Sequence, residues 1–439
     1  MASIVMFVFF FCSLLFSLYI KISILYPLLV GLAGFVLLAF FRGYSLPCLF
    51  SMLLKGSQQS LVVIWIFVLI GIITAVWRAC GTIPFIVYHG IAYLSEQFFV
   101  LSAFILSSMM SILLGTAFGT VGTMGVILMV LAKSGHVDVN VAAGAIIAGA
   151  YLGDRCSPMS SSANLVAVLT RTRLYLNLEN MLKTSVLPFL LACAGYAFFS
   201  LNHPLIGGNN PIVAAIPQSF NLNPVVLVPA VLILALAAAR IDVKISMGLS
   251  SLVAMAIALL IQQVSLAELL GYIATGYRLD QPGPLSAVIQ GGGLLSMVPV
   301  SLIVLISSAF SGLFAGTGLL RDIELAYGLI SRQAGLYAGT VVTSFATAAF
   351  GCNQTLAVML THQLIQGAYE NKRLNRYRLA LDLENTVIVI SALIPWNIAG
   401  AVPAAALSAD AGFIPYALYL FFVPLTYFFT RQAPIKEEP

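Results

Sequence analysis

Long apolar runs separated by short polar loops dominate the chain, and they predict its secondary structure. About 20 consecutive apolar residues form a helix long enough to cross the hydrocarbon core of a bilayer. Uninterrupted runs of this kind lie near 3–20, 22–41, 61–77, 97–115, 183–201, 224–239, 245–262, 286–307 and 413–430. The first run lacks a basic n-region and a small-residue cleavage site, so we predict a membrane helix there and not a removed signal peptide.

Four longer apolar stretches are interrupted by polar residues, glycine or proline. They are 97–132, interrupted at GTAFGTVGT; 138–170, at GDRCSPMSSS; 335–368, at GCNQ; and 380–408, at ALIPWN. In lipid, a helix break is tolerated only where protein or a water-filled cavity covers the freed backbone groups. The pattern therefore predicts an all-α polytopic membrane protein with about 11–13 membrane-embedded elements and an internal cavity at the breaks.

The breaks recur along the chain at a nearly constant spacing. Three pairs of landmark residues show it: Gly81 and Gly316 (316 − 81 = 235), Gly115 and Gly351 (351 − 115 = 236), and Pro158 and Pro395 (395 − 158 = 237). This spacing predicts two structural repeats. The predicted organisation is an N-terminal transmembrane hairpin and linker at 1–60, a first repeat at 61–201, a connecting segment with two transmembrane helices at 202–295, a second repeat at 296–430 and a cytoplasmic tail at 431–439.

Loop charges predict that the two repeats have opposite orientations. Loop 133–138 holds one Lys and one Asp, whereas its counterpart 371–378 is strongly basic. The next pair is reversed, because 171–183 is basic and 408–412 is acidic. The positive-inside rule places the two basic loops in the cytoplasm and the other two outside. Inverted repeats with broken helices are typical of secondary transporters that work by alternating access.

The composition supports a membrane protein and excludes a soluble one. Of the 439 residues, 61% are hydrophobic and only 8% are charged, and the mean hydropathy is +1.04. A soluble domain carries roughly 25% charged residues. The net charge of +5 comes from basic residues in loops, which is typical of topology signals and not of a nucleic-acid-binding surface.

Motifs for other chemistries are absent from the sequence. The six cysteines form no C-x-x-C pair, which disfavours a zinc site or a redox pair. No Walker A sequence, G-x-S-x-G or H-E-x-x-H occurs. We expect no cofactor other than a coupling ion, Na⁺ or H⁺, no nucleic-acid partner and no enzymatic activity.

The first candidate site is the polar interruption YLGDRCSPMSSSAN, from 151 to 164. Pro158 breaks the helix and would free backbone carbonyl oxygens, which are natural ligands for Na⁺. Asp154 supplies a negative charge that could bind Na⁺ or hold a proton, and a carboxylate at membrane depth is a functional candidate by default. The neutral oxygen donors in the same stretch are Ser157, Ser160, Ser161, Ser162 and Asn164. Two alternatives remain: Asp154 could pair with Arg155 or another arginine and only fix topology, and the serines could only pack helices.

The other interruptions supply further candidates for ion or substrate binding. The candidates there are Thr116, Thr120, Asn353, Glu384, Asn385, Ser391 and Asn397, and the helix-breaking residues are Gly115, Gly351 and Pro395. The threonines share one helical face, which is also typical of helix packing. Glu384 could equally be a loop-edge charge neutralised by Arg376 or Arg378.

The motifs GTAFGTVGT, AGAYLGDRCSPMSSSANLVA, AYENKRLNRYRLALDLENT and SALIPWNIAGA resemble those of the NhaC-type Na⁺/H⁺ antiporters. The resemblance runs in order from about residue 110 to 410 and implies an inverted-repeat transporter of the ion-transporter superfamily. It also implies re-entrant hairpins, a homodimer, and a transport domain that moves against a scaffold. The matching positions are Asp154, Ser157, Pro158, Asn164, Glu384, Pro395, Trp396 and Asn397.

Three positions depart from the family pattern. Ser161 and Asn385 stand where the family has Asp, and Ala392 stands where it has Pro. Two carboxylates of the pattern are therefore neutral here, which reduces the number of exchangeable protons and the attraction for Na⁺.

We therefore expect a Na⁺/H⁺ antiporter of the bacterial cytoplasmic membrane, with Asp154 as the Na⁺ ligand. The first alternative is a Na⁺- or H⁺-coupled transporter of an amino acid or small carboxylate, bound by Asn164, Asn353, Asn385 and Asn397 and by helix N-termini. A channel and an intramembrane enzyme that uses Asp154 and Glu384 are more distant alternatives.

Overall fold

A computed structural model describes residues 2–20, 22–58, 60–93, 96–205, 211–239, 241–279, 284–318, 335–432 and 434–436. Within these residues the chain is 81% helical and contains no β-strand. One isolated antiparallel bridge joins Tyr277 to Gly291. This confirms the predicted all-α class. The described residues leave out 206–210 and 280–283 of the predicted connecting segment, 319–334 of the predicted second repeat and 437–439 of the predicted tail.

The first half of the chain forms helices α1 to α12. Their bounds are Ala2–Tyr19, Leu25–Phe41, Leu46–Gln58, Leu61–Ala79, Thr82–Tyr93, Phe99–Leu114, Ala117–Thr120, Val126–Ser134, Val139–Cys156, Ser161–Thr170, Leu174–Asn202 and Pro211–Ser219. A π-helical segment, Val121–Gly125, joins α7 to α8, so the helix continues from residue 117 to 134.

The second half forms helices α13 to α23. Their bounds are Val228–Ala238, Val243–Leu260, Leu266–Thr275, Pro284–Ile289, Val298–Thr317, Leu336–Gly351, Gln354–Asn371, Arg376–Glu384, Val387–Ser391, Ile398–Ala406 and Leu418–Thr430. Short 3₁₀ segments precede α6, α13, α17 and α23, at Glu96–Phe98, Pro224–Leu227, Leu294–Met297 and Ala411–Tyr416.

Aromatic side chains attach the N-terminal hairpin to the second half of the chain. The ring of Phe7 on α1 lies 4.8 Å from that of Phe35 on α2 and 4.3 Å from that of Phe350 on α18. Phe310 and Phe314 on α17 pack against the same rings. Aromatic pairs at these separations add to the stability that their buried area provides. The hairpin is therefore packed against the helix bundle.

Helices α6 and α9 approach each other closely, and this contact positions the polar stretch at the end of α9. A Cβ atom added at Gly153 would lie 2.0 Å from the carbonyl carbon of Ser111, so only glycine fits there. Small residues allow this kind of backbone approach between membrane helices. The Gly153 N–H donates to the Ser111 hydroxyl over 3.0 Å. Asp154, the next residue, is thereby held beside the end of α6.

Few described helices are long enough to cross a membrane without interruption. Length and composition identify four, Ala117–Ser134, Leu174–Asn202, Val243–Leu260 and Leu294–Phe314, and a fifth if the pair Leu46–Gln58 and Val63–Ala79, bent by 45°, is counted as one span. This is fewer than the predicted number of embedded elements, because breaks divide most apolar stretches into helices of 10–17 residues. A helix of that length is too short to cross the hydrocarbon core alone, so the two helices on either side of a break together reach both membrane faces.

The four predicted interruptions coincide with ends of helices, and several other boundaries differ. Helices α3 and α5 were not predicted, since their sequences mix polar and apolar residues without a full-length apolar run. The predicted run 286–307 is divided at 290–293, where three successive glycines adopt positive φ angles. An additional break separates α20 from α21, at Asn385 and Thr386.

Candidate functional site

Two helix pairs are broken by the same backbone turn. After α6, Gly115 is left-handed (φ 67°, ψ 19°) and Thr116 is extended (φ −147°, ψ 132°) before α7 begins. After α18, Cys352 is left-handed (φ 53°, ψ 1°) and Asn353 is extended (φ −143°, ψ 132°) before α19 begins. Gly351, the predicted break residue, is the last residue of α18, and the left-handed position falls on its neighbour Cys352.

The helices around these breaks recur at one constant offset. Five elements begin 237 residues after a counterpart: 336 − 99, 354 − 117, 376 − 139, 398 − 161 and 411 − 174. Segments 99–174 and 336–411 therefore share the positions at which these five elements begin, although α9 is continuous and its counterpart is divided into α20 and α21. The full repeat boundaries, 61–201 and 296–430, and the inverted orientation stay predictions.

A second pair of breaks follows α9 and α21. Ser160 caps α10, with its hydroxyl oxygen accepting from the Ala163 N–H over 3.1 Å. Asn397 caps α22 in the same way, and accepts from the Ala399 N–H over 3.0 Å. Both cap residues are extended, and both follow a proline by two positions. Capping satisfies backbone donors that a break would otherwise leave without partners.

Asp154 lies in the last turn of α9, where it is only 6% exposed. One carboxylate oxygen accepts from the Ala117 N–H over 3.3 Å, and the other accepts from the Ser162 hydroxyl over 3.2 Å and the Gln354 amide over 3.3 Å. These donors belong to α7, α10 and α19. Each begins directly after a break, so Asp154 connects the breaks of both segments.

The Asp154 carboxylate has no cationic side chain as an ion-pair partner within the described part of the chain. Among the described residues, neither Arg155 nor any other basic side chain lies within ion-pair distance of it. All three donors are neutral groups. A buried carboxylate without a cationic partner is costly unless it binds a cation or a proton.

Asp154 faces a cavity of about 430 Å³ between the two sets of breaks. Helices α7, α10, α19 and α22 all begin at this cavity, through lining residues Ala117, Phe118, Ser161, Ser162, Gln354, Thr355, Ile398 and Ala399. The N-terminal end of a helix carries a partial positive charge. These helix ends therefore offset part of the cost of the buried carboxylate, and they favour an anionic group in the cavity.

Helix α14 closes one side of the same cavity. Its cap residue Asp242 is exposed and accepts from the Lys244 N–H over 2.8 Å, and the Lys244 side chain is partly buried at the cavity wall. The cavity therefore contains a cationic side chain as well as the Asp154 carboxylate.

Arg155 points away from the cavity and anchors α9 to its neighbours. Its guanidinium donates to the hydroxyls of Ser185 (2.8 Å), Thr184 (2.9 Å) and Tyr419 (2.9 Å), and to the side-chain oxygen of Asn385. It is fully buried. The alternative in which Asp154 pairs with Arg155 is therefore wrong for this structure, because adjacent residues on a helix point about 100° apart.

Glu384 is buried without a partner at the end of α20. It is 1% exposed, and neither carboxylate oxygen has a hydrogen-bond partner among the described residues. Its electrostatic neighbours are Arg155 and Asp154. The alternative of a loop-edge charge neutralised by Arg376 or Arg378 is therefore wrong, since Glu384 lies in the interior. It does not line the Asp154 cavity.

Asp382 was not predicted, although among the described acidic residues it accepts the most hydrogen bonds. It is fully buried and bonds to Arg431 (2.5 Å and 3.0 Å), to the Tyr427 hydroxyl (2.9 Å) and to the Tyr369 hydroxyl. Four donor contacts satisfy its charge, so it is a structural anchor between α20 and the chain after α23. Arg431 belongs to the segment predicted as a tail, and nothing local in the sequence indicates this pairing.

The structure brings six of the predicted residues to the cavity. They are Gly115, Thr116, Asp154, Ser161, Ser162 and Asn353. Sequence reasoning missed Gln354 and Lys244. Gln354 follows Asn353 in the GCNQ interruption, and that position is the only signal that could have indicated it.

The remaining predicted residues lie outside the cavity lining, and those with polar side chains, except Glu384, make local or interhelical bonds. The Ser157, Thr120 and Ser391 hydroxyls donate to carbonyl oxygens of Ile112 (2.8 Å), Thr116 (2.8 Å) and Val387 (2.6 Å). The Ser160 hydroxyl donates to the Asp154 carbonyl oxygen. The amides of Asn164 and Asn397 donate to the carbonyls of Ser160 (2.6 Å) and Ala348 (2.8 Å). Pro158 and Pro395 lie inside the breaks.

Fold and site together define an all-α polytopic membrane protein with a buried carboxylate at the ends of broken helices. The family model described as the Na⁺/H⁺ antiporter family matches residues 1–163 and 149–430. The chain belongs to this family, which is a family of transporters.

Several characterised and uncharacterised relatives span most of the chain. An uncharacterised Na⁺/H⁺ antiporter of Haemophilus influenzae is 26% identical over 88% of this chain and 85% of its own. The malate-2H⁺/Na⁺-lactate antiporter of Bacillus subtilis is 25% identical over 93% and 89%. The Na⁺/H⁺ antiporter NhaC of Alkalihalophilus pseudofirmus is 25% identical over 85% and 82%. The relatives thus include both ion exchangers and a carrier named for organic acids.

Proposed function

We propose that the chain exchanges Na⁺ for protons across the membrane, with Asp154 binding the two ions in turn. The observation that carries this proposal is the environment of the carboxylate. Asp154 is buried at a cavity, is held by three neutral donors from both segments, and has no cationic partner among the described residues. Such a carboxylate requires a bound cation or proton.

Exchange follows because Na⁺ and a proton compete for the single negative charge of Asp154. With Na⁺ bound, Asp154 is ionised, and neutral oxygens of Thr116, Ser162 and Gln354 at the same cavity are of the type that Na⁺ takes as ligands. With a proton bound, the carboxyl is neutral and the cation is released. If both loaded forms cross between the two sides and the empty ionised form does not, each turnover exchanges Na⁺ for protons.

The test is Na⁺-driven proton flux in proteoliposomes with the variant D154N. Asparagine keeps the size and the hydrogen-bonding capacity but removes the charge, so we expect flux to fall to the level of protein-free vesicles. The matched control is D138N. Asp138 is an exposed cap at the other end of α9, and asparagine is an equally good cap.

D138N should therefore keep the wild-type rate. Flux by D154N at the wild-type rate would contradict the proposal, because no other buried carboxylate lines the cavity among the described residues.

A second candidate function is the coupled transport of a small organic acid or amino acid. A cavity of about 430 Å³ is much larger than a bare Na⁺ ion needs, and Lys244 and four helix N-termini face it. Those groups favour a carboxylate. A relative named as a malate-2H⁺/Na⁺-lactate antiporter supports this candidate.

Uptake of labelled lactate, malate and amino acids into the same vesicles distinguishes the two candidates. If an organic acid is carried, K244Q should reduce its uptake and leave Na⁺-driven proton flux in place. Wild-type vesicles that exchange Na⁺ for protons but take up none of these compounds would reject the second candidate.

We further infer that the protein resides in the bacterial cytoplasmic membrane as a homodimer, uses no cofactor beyond the coupling ion, and is not an enzyme. The relatives from Bacillus subtilis and Haemophilus influenzae support the location, and membership of a transporter family supports the absence of catalysis. Light scattering of the purified protein tests the oligomeric state, and fractionation of cells tests the location.

A further inference from the structure

A second, smaller cavity lies far from Asp154, and two basic side chains line it. It has a volume of about 80 Å³ and lies between α4, α8, the end of α22 and the glycine-rich segment 290–293. Its polar lining consists of Arg78, Lys133, Gln290, Ser408 and the backbone of Gly291 and Gly292. Lys133 is 16 residues along a continuous helix from Ala117, which corresponds to about 24 Å.

Arg78 is buried at this cavity without a counter-ion. It is 8% exposed, and one terminal nitrogen donates to the Thr74 carbonyl over 2.5 Å. Its Nε has no hydrogen-bond partner among the described residues. No carboxylate lines the cavity, and neither Arg78 nor Lys133 forms an ion pair within the part of the chain that the structure describes.

The two cations also act against each other. Arg78 and Lys133 line the same small space and interact repulsively. Burial of a charge without a partner is costly, and a like charge nearby adds to the cost. Arg155, which is also buried, differs from Arg78 because both of its terminal nitrogens donate to hydroxyl or amide groups, although its Nε has no partner among the described residues either. The partly buried Arg431 pairs with the Asp382 carboxylate. An anion between Arg78 and Lys133 would remove this cost.

The glycine-rich segment packs its backbone against α4 at Thr74 and Ala75, one turn before Arg78. Gly291, Gly292 and Gly293 have φ angles of +124°, +78° and +81°. A Cβ atom added at Gly292 would lie 2.7 Å from the Thr74 hydroxyl and 2.8 Å from the Ala75 nitrogen, so only glycine allows this approach to α4. The segment thereby closes the cavity to a size that suits a single small ion.

We propose that this cavity is a binding site for a small inorganic anion, with chloride as the natural candidate. Arg78 and Lys133 provide the charge, and Gln290 and Ser408 provide neutral donors. The anion joins α4 and segment 290–293 to α8 and α22, which both begin, directly or through α7, at the Asp154 cavity. The proposal rests on Arg78 and Lys133, so it is independent of which ion or acid the protein transports.

The test is the thermal unfolding of the full-length protein in a neutral detergent, with chloride titrated against gluconate. We expect chloride to raise the unfolding midpoint by about 3 °C at saturation, because only the folded chain holds the site. R78Q and K133Q should lose this dependence. K183Q, which changes an exposed lysine on α11, is the matched control and should keep it.

A second prediction has the opposite sign. In gluconate, R78Q should unfold at the same temperature as the wild-type protein or at a higher one, since the uncompensated buried charge is gone. A lower midpoint for R78Q in gluconate would mean that Arg78 stabilises the fold without an anion, and it would overturn the proposal.

Direct binding of ³⁶Cl⁻ to the wild-type protein keeps the proposal falsifiable if R78Q does not fold. Saturable binding that K133Q weakens at least tenfold would support it. Absence of saturable binding together with absence of a chloride-dependent midpoint would overturn it. Stabilisation by phosphatidylglycerol, and not by chloride, would assign the site to a lipid phosphate. That result would also overturn the proposal of a site for free chloride.

Discussion

Segments 99–174 and 336–411 share their backbone plan but differ in where they carry charge. The constant offset of 237 residues pairs Asp154 with Ser391 and Arg155 with Ala392 (154 + 237 = 391; 155 + 237 = 392). It also pairs Glu384 with Ile147 (384 − 237 = 147). Both segments thus place helix N-termini at the cavity, but only the first places a carboxylate there. Symmetry of the backbone creates the cavity, and asymmetry of the side chains means that only one of the two segments contributes a charged group, Asp154, to its lining.

The second segment contributes to the same carboxylate in another way. Ala117 on α7 reaches Asp154 with its backbone N–H, whereas its counterpart Gln354 on α19 reaches it with the side-chain amide. Equivalent positions therefore converge on one group that belongs to the first segment alone. Such a site cannot be duplicated by symmetry, since its charged member has no equivalent.

Moving the carboxylate from the first segment to the second is the strongest way to break this comparison. D154S removes the charge, and we expect Na⁺-driven proton flux to disappear. Adding S391D should not restore it, because Ser391 is fully buried, donates to the Val387 carbonyl and does not line the cavity. The measurement is flux in proteoliposomes for both variants. Restored flux in the double variant would mean that the two segments are functionally interchangeable.

The next largest expected difference is in stability, between variants of the two residues with left-handed backbone at the breaks. Gly115 has φ 67°, and an added Cβ atom would lie 2.6 Å from the Cβ of Met159, so G115A should destabilise the fold by about 2–3 kcal/mol. Cys352 already carries a Cβ atom at φ 53° and is fully buried. C352G relieves backbone strain but loses packing, and we expect a change within about 1 kcal/mol.

Unfolding midpoints of the two purified variants measure this difference. Equal destabilisation by G115A and C352G would show that the two breaks are under the same steric constraint, contrary to the close contact seen at Gly115 alone.

The sequence was sufficient to locate the breaks and the aspartate, Asp154, that lies at the cavity. Polar or proline-containing interruptions in apolar runs have a direct physical meaning in lipid, and so has an isolated aspartate. Gln354 could not be singled out in the same way, since a neutral amide at a break is equally expected to cap a helix. Its role depends on α19 meeting α9, which is a contact over 200 residues of chain.

The residue pairs that hold distant helices together could not be predicted from the sequence either. The Asp382–Arg431 ion pair spans 49 residues and three intervening helices, and the Arg155–Asn385 bond spans 230 residues. Whether a buried acid is satisfied, as Asp382 is, or without a partner, as Glu384 is, depends on distances that no local pattern encodes. For the same reason, three acidic residues of one chain could not be sorted into site, anchor and unpaired group from their neighbours in sequence.

Two of the three donors to Asp154, the Gln354 side chain and the Ala117 backbone, offer a smaller but sharper contrast. Q354A removes one hydrogen bond to the carboxylate and one neutral oxygen from the cavity, so we expect the Na⁺ concentration for half-maximal flux to rise about tenfold. A117S keeps the backbone donor and should leave that concentration nearly unchanged. Measurement of flux against Na⁺ concentration at fixed pH separates the two. Equal effects would indicate that the side chain at 354 has no role in binding.

The smallest expected effect is at the position where the second segment carries a charge that the first lacks. Glu384 is buried without a partner, and its counterpart Ile147 is buried and apolar. E384M should therefore raise the free energy of unfolding by about 1 kcal/mol, since it removes an unsatisfied polar group at nearly constant volume. I147M is the matched control and should change it by less than about 1.5 kcal/mol in the destabilising direction. Lower stability of E384M would show that Glu384 contributes to the fold through its electrostatic interaction with Arg155. In that case charge asymmetry between the segments would serve the fold as well as the site.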